Sequence, residues 1–166
     1  EALKLGNRIT IMEGGRIVQS GKPEDIILRP ANDYVREFIA NVNPLSVLTA
    51  WNVMRDVRDL EKAGPGWLWL DRRKTTRFKI DKDGTVIDAE RNGQKSTWVS
   101  CDHAEDKVDE TQHPVFWANP GTSLRTVMLA MHKSHTAPVG LFDDQSRFVG
   151  AIGVRDVLQA VLRREG

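Results

Sequence analysis

Residues 119–162 read NPGTSLRTVMLAMHKSHTAPVGLFDDQSRFVGAIGVRDVLQAVL, and the order of elements in this stretch decides the fold. Pro120-Gly121 is a turn, and Thr122 or Ser123 stands where a helix N-cap is expected. Leu124, Val127, Met128 and Met131 then recur at i, i+3, i+4 and i+7, the apolar stripe of a helix. APVGLF (137–142) and RFVGAIG (147–153) predict two strands around the polar turn DDQS. A last helix carries Val154, Val157, Leu158, Val161 and Leu162 on one face. Asp156 in its first turn and Arg163-Arg164 in its last both suit the helix dipole. With VFWA (115–118) as a strand ahead of it, the segment reads strand, helix, strand, strand, helix. The fold class is α+β.

Upstream, LTAWNVMRDVRDLEKAG (48–64) predicts a helix that ends at the breaker Gly64-Pro65-Gly66. GWLWLD (66–71) alternates Trp67 and Trp69 with Leu68 and Leu70, the period of a strand. TRFKI and TVIDA flank a hairpin turn at Asp83-Gly84, and Asn92-Gly93 marks another turn before STWVS. CDHAEDKVDETQH (101–113) has no periodicity, is mainly acidic and reads as a loose connector. Near the other end, RITIME and RIVQS form a hairpin on Gly14-Gly15, and Pro23-Glu24-Asp25 opens a short helix that Pro30 closes. Asn32 or Asp33 caps the next helix, with Tyr34, Val35, Phe38, Ile39 and Val42 as its stripe. Asn43-Pro44 ends that helix and sets the first domain boundary.

Composition narrows the function. A net charge of +1 in 166 residues gives no global reason to expect nucleic acid as a partner. No apolar run approaches the ~18 residues that suggest a membrane span, and the first residues do not read as a signal peptide. Cys101 is the single cysteine, which fits a reducing, cytoplasmic setting.

The β-α-β-β-α order of the final segment, with its capped helix, Ala-Pro-Val strand, acidic turn and Gly-apolar-apolar run into Asp156, resembles a CBS motif. Such motifs occur in pairs, which implies a second copy. Residues 43–105 are read as that copy in degenerate form: SVLTAWNVM (46–54) resembles the family's strand-to-helix junction, but the central capped helix is missing. Residues 106–166 are the intact copy. Residues 1–42 resemble the C-terminal end of an ABC-transporter ATPase domain. Asn-Asp-Tyr-Val (32–35) ahead of a CBS pair is most similar to the glycine betaine/proline/choline importers. The resemblance implies a fragment whose catalytic motifs lie elsewhere, and no G-x-x-x-x-G-K-[ST] occurs in these residues. It implies as partners a homodimer of ATPase subunits through their CBS pairs and a membrane permease. It also implies a cytoplasmic site at the inner face of the cell membrane. On this reading Ile9, Ile11 and Ile17 lose their cover, so the hairpin is expected to pack on the CBS sheet or a partner chain, or to be mobile.

Carried over from the resemblance, nucleotide binding falls on Gly150, Asp156 and Arg155, with Ala137, Pro138 and Val139 against the base. Thr49 and Asn52 are the counterparts in the first copy. No cofactor is required, and an adenine nucleotide is the implied ligand. In the motif Gly150-x-x-Gly153-x-x-Asp156 a glycine replaces the hydroxyl residue that would hold phosphate, so Asp156 also reads as a plain helix cap. The basic run Arg72, Arg73, Lys74, Arg77 and Lys79 is a candidate contact for an anionic membrane surface, or for ionic-strength sensing, against a solvated face. Trp51, Trp67, Trp69, Trp98 and Trp117 invite a cation cage, against a simple packing role. His132 with His135, and Cys101 with His103, fall short of a zinc ligand set. No catalytic residue is assigned. The alternative function is a ligand-free module that dimerises the ATPase subunits.

Overall fold

The computed structural model describes residues 6–103 and 114–162. Residues 1–5, most of the acidic connector and Arg163-Arg164 lie outside the described residues.

The hairpin forms as the sequence dictates: β1 (Ile9–Glu13) pairs antiparallel with β2 (Arg16–Gly21) across Gly14 and Gly15. Both glycines take positive φ, +54° and +77°, which the tight turn requires. α1 (Pro23–Leu28) starts on its proline. α2 (Asp33–Phe38) is capped by Asn32, whose side chain accepts from the Val35 N–H at 3.0 Å. These helices cover the hairpin. Ile9, Ile11, Ile26, Val35 and Ile39 form one buried cluster. The expectation that Ile9 and Ile11 lack cover within the chain is thus overturned, and only Ile17 stays exposed, at 66%. The stripe assigned to α2 is also narrower than its spacing suggests, since Phe38 is exposed and Tyr34 lies at the rim, its hydroxyl donating to the Met12 carbonyl at 3.3 Å.

The helix expected over 48–64 does not form. Its place is taken by one-turn 3₁₀ segments at Ala50–Asn52 and Val57–Asp59, the two-residue strand β3 (Arg55–Asp56) and β4 (Lys62–Gly64). Side chains divert the backbone: Asn52 Oδ1 accepts from the Thr49 N–H at 2.8 Å, and Asp56 Oδ1 from the Arg58 N–H at 2.9 Å. β4, β5 (Trp67–Trp69), β6 (Thr76–Ile80), β7 (Val86–Arg91) and β8 (Gln94–Lys95) then make an antiparallel meander in chain order.

β9 (Trp98–Ser100), β10 (Val115–Ala118), α3 (Leu124–Lys133), β11 (Val139–Phe142), β12 (Phe148–Ile152) and α4 (Val154–Leu162) complete the chain. Their sheet runs β3-β12-β11-β10-β9, with β9, β10 and β11 parallel and β12 antiparallel to both its neighbours. Ser123 caps α3 by accepting from the Thr126 N–H. A Schellman motif ends it, with His135 at φ +51° and the Thr136 N–H bonded to the Met131 carbonyl. On α4, Val157 is buried, but Leu158 and Leu162 of its expected stripe are exposed.

α3 and α4 pack on one face of this sheet through Leu124, Val127, Met131 and Val157. The meander covers the other face: Leu68, Leu70 and Phe78 join Val115, Phe142, Phe148 and Ala151. An apolar sheet face has to be buried against something, and here a second sheet does it. Phe78, fully buried, meets Phe148 edge to face at 5.4 Å and lies 6.2 Å from Phe142. Gly140 leaves the space: a Cβ there would lie 2.6 Å from the Phe78 ring. Arg91 ties the meander to the end of α3, donating to the Ser134 carbonyl at 2.5 Å, and burial pulls its guanidinium pKa down.

Candidate functional site

A cleft lies where the meander meets the start of α4. Gly153 occupies the N-cap position of that helix, and Asp156 reaches back from its first turn. Asp156 Oδ2 accepts from the Gly153 N–H at 2.7 Å and from Arg55 Nε at 3.1 Å. The carboxylate is 9% exposed and the Arg55 side chain 20%, so the ion pair is largely withdrawn from water. The other arm of Arg55 donates to the Leu70 carbonyl. One guanidinium therefore clamps the meander to α4, and it can do so because β3 carries Arg55 along the edge of β12.

The next residues of the meander form the facing wall. Asp71 shapes that loop: Oδ1 accepts from the N–H groups of Thr75 at 2.9 Å and Thr76 at 3.0 Å, and Oδ2 accepts from the Thr75 hydroxyl at 2.7 Å. Arg72 and Arg73 are left exposed at the rim. Together Arg55, Arg72, Arg73 and Arg155, with Asp71, Asp156, Pro138 and Thr136, line a cleft of about 350 Å³. Four guanidinium groups against two carboxylates, beside a helix N-terminus, favour an anion. Arginine's planar fork suits phosphate in particular.

Two motifs that looked separate in sequence thus meet in space. Asp156, Arg155 and Pro138 share one cleft with Arg72 and Arg73. Ala137 and Val139 are buried beside it and do not line it. Gly150 is also outside it: it sits under β3, where a Cβ would lie 2.3 Å from the Arg55 carbonyl oxygen. Thr49 and Asn52 lie elsewhere, with Thr49 bridged to Ser123 at the start of α3. Their geometry nevertheless repeats that of Gly153 and Asp156, because in each case the third residue of a turn accepts from the capping N–H, at 2.8 and 2.7 Å.

The rest of the basic run is dispersed. Lys74 pairs with Glu61. Arg77 pairs with Glu90 and lies 4.5 Å from the centre of the Trp67 ring and 5.4 Å from that of Trp69. Lys79 approaches Trp67 at 6.0 Å. These two tryptophans thus already hold the chain's own cations. Arg55 and Asp71 were not singled out in sequence. Neither carries a local signal, since their roles arise from strand pairing and loop closure. Among the described residues no cluster of three metal-ligating side chains occurs. Burial pushes the Cys101 thiol up to about 12.

Comparison with known proteins agrees with this architecture. Residues 108–163 match the CBS domain. The chain is 47% identical, over 98% of its length, to the glycine betaine transport ATP-binding protein OpuAA of Bacillus subtilis, of which it covers 39%. It is 34% identical over its full length to the glycine betaine/proline betaine transport system ATP-binding protein ProV of Salmonella typhimurium, covering 42% of that protein. The glycine betaine/carnitine transport ATP-binding protein GbuA of Listeria monocytogenes shares 48% identity over 67 residues, 39% of this chain and 17% of GbuA. The chain spans about two fifths of the length of the first two relatives. A CBS domain thus occupies residues 108–163, and the chain along its length is similar to part of the ATP-binding proteins of glycine betaine and proline betaine transport systems.

Proposed function

We propose that this chain is the regulatory, C-terminal part of the ATP-binding subunit of an osmoprotectant importer for glycine betaine, proline or choline. Its arginine cleft takes an adenine nucleotide and so biases ATP-driven uptake. Residues 1–42 are read as the end of the ATPase domain, 43–105 as the degenerate CBS copy and 106–166 as the second. ATP hydrolysis belongs to the rest of the subunit. The partners are a second ATP-binding subunit and the membrane permease, at the cytoplasmic face of the membrane. No helix among the described residues is long and apolar enough to cross a membrane.

The single observation that carries this reading is the convergence of Arg55, Arg72, Arg73 and Arg155 on the N-terminus of α4 beside Pro138 and Asp156. The repeated capping geometry at Thr49–Asn52 supports the two-copy reading. A thermal-shift series with AMP, ADP, ATP, cyclic dinucleotides and choline tests it. A ligand at about 100 times its Kd stabilises by about 2.7 kcal/mol, a rise of about 5–10 °C for a chain of this size. One of the adenine compounds is expected to give such a rise, and a flat response to all of them would remove the ligand-sensing role.

A second reading has its own support. Asp156 is already bonded to Gly153 and Arg55, and Leu158 and Leu162 leave α4 with an exposed apolar edge. A ligand-free module that holds two ATPase subunits together would show these features, and the flat response would favour it. Exposed Arg72 and Arg73 are also the part of the basic run left to meet anionic lipid. Binding to phosphatidylglycerol vesicles that weakens with salt, and disappears on replacing Arg72, Arg73 and Lys74 by Ala, is the expected signature. Binding that survives those changes would exclude the run as the contact.

A further inference from the structure

A second cleft, of about 530 Å³, opens at the end of the sandwich away from the arginines. Trp98, Trp117 and Phe142 wall it, and Asp143 and Asp144 stand at its mouth. Trp98 is 39% exposed, and the Trp117 ring meets Phe142 edge to face at 5.6 Å. The arrangement is held from behind, since Trp98 and Phe142 both lean on buried Phe78. Asp143 is paired with Arg147 at 2.7 Å. Asp144 makes no ion pair or hydrogen bond among the described residues. Among the described residues no basic side chain lines this cleft. That contrasts with Trp67 and Trp69 on the far face of the meander, where Arg77 supplies the cation from within the chain.

We propose that this aromatic cleft binds a small organic cation of the alkylammonium class, with Trp98 and Trp117 against its methyl groups and Asp144 balancing its charge. Tryptophan is the best aromatic partner for a cation, and the attraction grows as water is excluded. A weakly hydrated alkylammonium loses little on entering an apolar cleft, whereas a sodium ion would forfeit its hydration shell. The inference does not rest on nucleotide binding in the arginine cleft.

The test is titration of the 166-residue chain with tetramethylammonium chloride, followed by NMR of the tryptophan indole N–H signals, at constant total chloride set with sodium chloride. Expected is saturable movement of the Trp98 and Trp117 signals, with Trp67 and Trp69 still. Trp98→Leu is expected to weaken binding about tenfold, and Asp144→Asn about threefold. Choline and its uncharged isostere 3,3-dimethyl-1-butanol separate charge from shape within the unaltered protein, so the test survives a poorly folded variant. The cleft is expected to take choline at least about fivefold more tightly. Equal binding of the two, or an indole response no greater than sodium chloride produces, would overturn the proposal.

Discussion

Phe78→Ala is expected to lower the unfolding free energy by about 3–5 kcal/mol, the cost of removing a buried phenylalanine from a packed core. Phe78 sits on the central strand of the meander, and its ring touches the aromatic side chains on the face of the CBS sheet opposite α3 and α4. The loss should appear in urea denaturation as a lower midpoint with an unchanged slope if the two sheets unfold together. A cost below about 1 kcal/mol would mean that the meander is only loosely laid on the CBS sheet. Phe78→Leu keeps most of the volume and is expected to cost less, which separates cavity formation from loss of the meander as a whole.

Gly150→Ala is expected to destabilise by about 2–3 kcal/mol, an overpacking cost, although it adds a single methyl group. The new Cβ would stand 2.3 Å from the Arg55 carbonyl oxygen, and backbone cannot step aside as a side-chain tip can. β3 must then part from β12. Arg55 goes with it, and with Arg55 go the bonds to Asp156 and to the Leu70 carbonyl. Hydrogen exchange should therefore accelerate at residues 55–56 and 150–151 before the core responds. Gly121→Ala is the control, because nothing lies within 4 Å of the added atom. Equal stability of the two variants would contradict the close packing of β3 on β12.

The parts of this fold that could be read in sequence are those whose determinants are local. Asn32, Ser123 and the Gly14-Gly15 pair act within a few residues, and the stripe Leu124, Val127, Met131 faces the sheet as its spacing demands. Residues 48–64 were misread because periodicity alone cannot see competition. Asn52 and Asp56 satisfy backbone N–H groups in turns, and the open edge of β12 takes Arg55 and Asp56 into a ladder. Residues 43–105 were also legible as the partner segment of the CBS motif, but their antiparallel meander was not. Trp67, Leu68, Trp69 and Leu70 alternate as any half-buried strand would, and nothing in that alternation says which sheet it covers.

The site shows the same division. Asp156, Arg155 and Pro138 were found through the motif they complete, and Arg72 and Arg73 through their charge. That these belong to one cleft depends on the hairpin register of the meander and on a salt bridge between residues 101 positions apart. The tryptophans divide too. Trp67 and Trp69 are settled by the chain's own Arg77 and Lys79, whereas Trp98 and Trp117 line a cleft with no basic side chain among the described residues.

The claim that the meander loop and the CBS motif jointly form an anion-binding cleft is tested most directly by calorimetric titration of ATP into the chain and into Arg72→Gln/Arg73→Gln. Hydrogen bonds between charged groups contribute about 1.5–3 kcal/mol each, so losing this pair is expected to weaken binding at least about tenfold while leaving thermal stability without ligand unchanged. Heat of binding that is the same in both proteins, or absent from the unaltered chain, would contradict it.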